Sequence, residues 1–185
     1  MFGFDRRSKE NAYFNWIVGV FGQIKTTLEK NGIPFSIYTG VNESAIDGYS
    51  AKLDSGVKLH IYYLMGIKVD FILEDSKAGK QICEHIARIV DPDRYKVEMR
   101  AKNGTPCAWS MRLTYFKEHI ESMGGKENFS EMIYRQLVNA DKLLKASKDL
   151  IKRLENTYSL ANNTREEVLN SVTRTAEKLG IKPAE

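Results

Sequence analysis

The chain has 185 residues, 28 Lys and Arg against 24 Asp and Glu, a formal charge of +4 and 42% hydrophobic residues. That length can bury one substantial core without covalent staples, and the small basic excess tilts the choice of partner toward anions. The two cysteines, Cys83 and Cys107, show neither CxxC nor Cys/His ligand spacing, which argues against a disulfide framework and against zinc.

The opening MFGFDRRSKEN is charged at once and lacks the apolar run of a secretory signal. No segment approaches the ~20 apolar residues a bilayer span needs, so a cytoplasmic protein with no membrane contact is expected. From residue 8 to 31, Phe14, Ile17, Val20, Phe21, Ile24 and Leu28 recur every three or four positions and predict a helix, with Ser8 as its cap and Asn31-Gly32 as its stop. Gly19 and Gly22 inside it read as places of close packing rather than as a phosphate loop.

The period then changes to two. Strands are predicted around 35–39, 49–53, 57–63 and 67–73, separated by Gly40, Asp54-Ser55-Gly56 and Met65-Gly66. Ile67, Val69, Phe71 and Leu73 share one face and Lys68 and Asp70 the other, so one side of this meander needs cover. Ser76 offers a cap for a helix striped by Ala78, Ile82, Ile86 and Ile89, ending before Asp91-Pro92. A hairpin follows, with Val97 and Met99 on one arm, Asn103-Gly104 at the turn, and Trp109, Met111 and Leu113 on the other arm.

A short helix near 115–123 ends at Gly124-Gly125, the clearest internal boundary, which divides an α+β unit of residues 1–124 from a helical extension of residues 125–185. Asn128 with Glu131 forms a capping-box pattern, and no Gly or Pro follows until Gly180. Ile133, Leu137, Ala140, Leu144, Ser147, Ile151, Leu154 and Tyr158 alternate gaps of four and three, a heptad seam that predicts one helix from 128 to 161. Such a helix would run roughly 50 Å at ~1.5 Å per residue. Thr164 with Glu167 opens a last helix through Val168, Val172, Ala176 and Leu179, able to fold back as a hairpin. The fold class expected is α+β, an antiparallel meander covered by helices and followed by these C-terminal helices. Phe14, Ile17, Phe21, Ile24, Ile82 and Ile86 are expected on the apolar face of the sheet.

Signals for chemistry are sparse. Asp70 with Glu98-Met99-Arg100 approaches the Asp and Glu-x-Lys arrangement of a metal-dependent nuclease, but a helix separates the two parts and Arg stands for Lys. Alternating polar residues on a half-exposed strand account for the same letters. His60, His85 and His119 share no ligand spacing. No catalytic residue, metal or cofactor is therefore assigned. Two basic clusters remain as candidate nucleic-acid contacts: Lys96, Arg100 and Lys102 on the hairpin, and Lys142, Lys145, Lys148, Lys152 and Arg153 on the long helix. A solvated helix face is the commoner origin of such clusters.

Gly40-Val41-Asn42, the segment Gly56 to Tyr63, and Lys80 to Ile86 with its glutamate carry a resemblance of layout over residues 35–115. In them the chain resembles a bacterial family of unknown function that accompanies restriction-endonuclease-like domains. Tyr95 to Met99 stands where that family shows a tryptophan-centred strand. The resemblance implies an accessory role in a DNA-directed defence system and carries over no catalytic residue. The residues by themselves favour a non-catalytic binding or regulatory module. It would associate with a protein partner or a copy of itself through Ile133, Leu137, Leu144, Ile151, Leu154 and Tyr158; nucleic-acid binding comes second and a divergent nuclease third.

Overall fold

A computed structural model describes residues 3–38, 46–74, 79–90, 96–102, 105–156 and 162–181. Helix α1 (Gly3–Lys30) leads into strands β1 (Ser36–Tyr38), β2 (Ile46–Lys52), β3 (Lys58–Tyr63) and β4 (Ile67–Glu74). Helix α2 (Gly79–Val90), strands β5 (Lys96–Lys102) and β6 (Thr105–Tyr115), and helices α3 (Lys117–Ser122), α4 (Lys126–Ala146), α5 (Lys148–Asn156) and α6 (Asn162–Lys178) complete the order. The α+β class is as expected. All six strands join one sheet in the order β1-β2-β3-β4-β6-β5, and every neighbouring pair is antiparallel. Among the described residues no helix is long and apolar enough to cross a membrane.

One face of the sheet is the core. Leu59, Ile61, Ile67, Val69, Phe71, Met111, Leu113 and Tyr115 bury there with Ile17, Val20, Phe21, Ile24 and Leu28 of α1 and Ile86 of α2. Phe14 is the exception among the residues expected in this layer: at 49% exposure it points past the core edge, one helical step beyond Ile17. Ile82, Ser76 and the Asn103-Gly104 turn lie outside what the structure describes at side-chain level. Helix α1 already runs at Gly3, so Ser8 lies inside the helix instead of capping it. Gly19 faces Lys126 of α4, where a Cβ would come within 3.0 Å of its Nζ, whereas Gly22 faces open space.

The heptad seam does not form the single helix expected from 128 to 161. Helix α4 ends at Ala146, and Ser147, with φ −99° and ψ 6°, breaks the line before α5. Phe129, Ile133, Leu137, Ala140 and Leu143 are fully buried, in the same cluster as the sheet and α1. A hydroxyl pair, Thr27 Oγ1 and Ser130 Oγ at 2.8 Å, ties α1 to α4 inside that layer. The seam positions Ile133, Leu137 and Ala140 of α4 therefore find their cover within the chain, where α1, with 28 residues to the 21 of α4, lies along them. The capping box expected at Asn128 is also replaced: Gly125 is the N-cap of α4, and Asn128 donates to Met123 O at 3.0 Å, closing the preceding turn. Gly124-Gly125 is thus a tight turn, with φ of 91° and 95°, across which one continuous core extends. Helices α5 and α6 pack on each other, with Val168, Val172 and Ala176 of α6 buried and Leu179 exposed beyond its end.

Candidate nucleic-acid interface

Antiparallel pairing places residues directly opposite one another, and here a row crosses the whole sheet on the face away from the helices. Ser36 faces Ser50, Ser50 faces His60, His60 faces Asp70, Asp70 faces Arg112, and Arg112 faces Lys96. The rows on either side pair Lys52 with Lys58 and Lys68 with Thr114. Two residues of this face, Tyr62 and Ile72, are buried yet stand apart from the core cluster, and Asp70 has no exposed surface.

Arg112 donates from Nε to Asp70 Oδ1 at 2.8 Å and from Nη2 to Oδ2 at 2.9 Å, and its guanidinium lies 5.9 Å from the centre of the Tyr62 ring. Both carboxylate oxygens are thereby held by a fixed cation, the two-pronged geometry that suits arginine and not lysine. Glu98 stands opposite Ser110 on the far side of β6, two strands from Asp70 and one row over. Nothing in this register brings the two acids of the nuclease-like pattern side by side.

The sequence-predicted basic residues separate into two groups. Lys96 and Arg100 occupy β5 positions opposite Arg112 and Ala108, at the end of the polar rows, and Lys102 lies past an irregularity in the pairing. Their side chains are outside what the structure describes. Lys142, Lys148, Lys152 and Arg153 are exposed on α4 and α5, divided by the break at Ser147. Lys145 is committed elsewhere: its Nζ sits 2.9 Å from Asp141 Oδ2 and 3.3 Å from Asp54 Oδ2, pinning α4 to the β2–β3 turn. Burial by itself would raise the Asp141 carboxyl, but hydrogen bonds from Lys145 and Ser55 outweigh it and hold the group below its usual range. Of the partner residues, Ile133 and Leu137 are enclosed in the core, Leu144 is half-buried against it, and Ile151, Leu154 and Tyr158 lie outside the described side chains.

Sequence reasoning missed Lys52, Lys58, Lys68 and Arg112 as a group. Each reads as one polar letter in an alternating strand, and only the register sets them side by side. It also missed an aromatic patch at one end of the sheet. Tyr13 stacks on Trp16 at 5.8 Å and meets Tyr63 edge-on, while Lys117 lies over the Trp16 ring. Burial, then the Tyr63 hydroxyl, pushes the Tyr13 phenol up to about 12. Met65, two residues after Tyr63 and 82% exposed, holds a left-handed φ of 52°, and its neighbour Gly66 lies against half-exposed Phe116. Among the described residues no group of three or more His, Cys, Asp or Glu converges as a metal site would require. No protein-family model, no curated protein and no solved structure matches this chain.

Proposed function

We propose that this chain is a non-catalytic binding module that carries nucleic acid along the polar face of its sheet. The observation that supports this most is the row of cross-strand neighbours from Ser36 to Lys96, flanked by Lys52, Lys58 and Lys68, with Asp70 already neutralised by Arg112. Cations spread over neighbouring strands suit a polyanion better than a small acid. Tyr62 is covered by Arg112, so the described residues of this face supply little for bases to stack on, and the contact is with phosphates. Binding should therefore be insensitive to sequence. Such a role matches the accessory function in DNA-directed defence that the resemblance of layout implies.

Fluorescence anisotropy with a labelled single-stranded oligonucleotide tests it. With about four phosphates neutralised, a slope near −0.7 per contact predicts roughly 50-fold weaker binding at 200 mM than at 50 mM salt. Lys68→Glu should weaken binding at every salt concentration. No binding at the lower salt would overturn the proposal.

A second reading, association with another protein, moves from the heptad seam to the patch around Met65. A bulky residue in the left-handed region costs roughly 1–2 kcal/mol, and Met65 returns little of that inside the chain. Sedimentation velocity across a concentration series tests this reading in its self-association form. A weight-average mass that rises with concentration in the natural chain and stays monomeric in Met65→Gly with Phe116→Ser supports it; a monomer throughout removes the self-association form.

A further inference from the structure

We propose that the groove where β1, β2 and β3 meet is a phosphate subsite, seating one phosphate of the nucleic acid between Lys52 and Lys58. The identity of the polymer rests on the reading above; the site rests on its own geometry. The groove encloses about 410 Å³, with the hydroxyls of Ser36 and Ser50, the two lysines and His60 on its polar side and Phe35 on its apolar side. No acid lines it.

Lys52 and Lys58 are direct cross-strand partners with Cβ atoms about 5 Å apart, and a like-charged pair in that position works against the hairpin. Neither makes an ion pair with any described residue. The acid nearest in sequence, Asp54 in the connecting turn, is drawn to Lys145 of α4 at 3.3 Å instead of back to the strand. Two ammonium groups at the mouth of a groove, with no acid among the described residues beside them, repel one another, and an anion relieves that repulsion.

Phosphate fits this arrangement better than carboxylate. Lysine acts as a point charge without the planar fork that grips a carboxylate at two oxygens, and a tetrahedral anion can meet two ammonium groups and a hydroxyl at once. Ser36 Oγ donates to Ser50 O at 3.4 Å and lies 3.3 Å from Ser50 Oγ, so the Ser50 hydroxyl is the one whose hydrogen can turn from this pair to an anion. A volume of about 410 Å³ lies within the range of small-ligand sites, so the groove takes a sugar-phosphate unit and not a bare ion alone.

The test compares the natural chain, Lys52→Ala with Lys58→Ala, and Lys25→Ala with Lys30→Ala as an equal charge loss on α1. Each is titrated with inorganic phosphate, followed by amide NMR shifts, and with the labelled oligonucleotide over a range of salt. The groove variant should lose at least tenfold in oligonucleotide affinity, and its log-log salt slope should become shallower by about 1.4, the share of two contacts. The α1 control should stay within twofold. Relief of the like-charge pair should leave the groove variant's Tm unchanged or higher by ~1–3 °C, which separates lost binding from lost folding. Wild-type affinity and slope in the groove variant would overturn the subsite while leaving the interface standing. Phosphate-induced shifts at Ser50 to His60 without any oligonucleotide binding would support the subsite and sink the polymer reading. Absence of both would sink both.

Discussion

Asp70 shows how much one residue on a strand can differ from its letter. The sequence places it on a polar face, where an exposed carboxylate is expected; the structure gives it no exposed surface and two hydrogen bonds from Arg112. Desolvating such a pair costs about as much as its attraction returns, but removing one partner strands the other. Asp70→Ala should therefore lower unfolding free energy in urea by about 3 kcal/mol, and Asp70→Leu with Arg112→Met should recover most of that loss. His85 makes a prediction of the opposite kind. Burial, then the positive charge of Arg88, holds its pKa below the usual 6.5, while Nε2 meets Thr173 Oγ1 at 2.7 Å. Below pH 6.5 the unfolded chain takes up a proton that the folded chain resists. Stability should fall as pH drops through that value and on toward the lowered folded pKa, and His85→Gln should flatten this part of the profile measured by thermal unfolding.

At the scale of elements, α4 and β2 decide most. Ile133, Leu137, Ala140 and Leu143 make a core face of α4, so Leu137→Ala should cost about 3 kcal/mol in urea without changing the sedimentation coefficient. Ser147 sits at the break between α4 and α5, buried and with no hydrogen-bond partner for its hydroxyl among the described residues. Ser147→Ala removes that unmet group and improves helix propensity, so a gain of about 0.5–1 kcal/mol is expected from denaturant midpoints. Gly48 marks the other constraint. It lies at the register shift of β2, where a Cβ would come within 2.4 Å of Ile61 O, so strand β3 closes on bare backbone there. The sequence offered a glycine between two strand signals; only the pairing shows that the space above it is taken.

Among the described residues, the helices lie on one sheet face, and the other face is mainly polar around the buried Tyr62 and Ile72. Helices α1 and α4 lie side by side over the core, α2 covers the β4–β6–β5 end, and α6 closes against α2 and α4. Charge on the opposite face comes from β2, β3, β4 and β6 together. Combined replacement of Lys52, Lys58 and Lys68 by alanine should abolish most of the salt dependence of oligonucleotide binding, whereas replacement of Lys142, Lys148 and Lys152 should change it little.

The strand periods, the helix stripes and the α+β class were legible in the order of residues, because alternation by two and by three or four records which side of each element must leave water. The Gly and Pro punctuation marked the element ends to within a few positions for the same local reason. The destination of each apolar face was not legible. A heptad seam says that a helix needs a partner and says nothing of whether the partner is another chain or α1 of the same one, since both bury the same surface. The grouping on the polar face was hidden for a related reason: Lys52 and Lys58 or Asp70 and Arg112 are neighbours only once the register of their strands is fixed, and the charge of a site is a sum over that pairing.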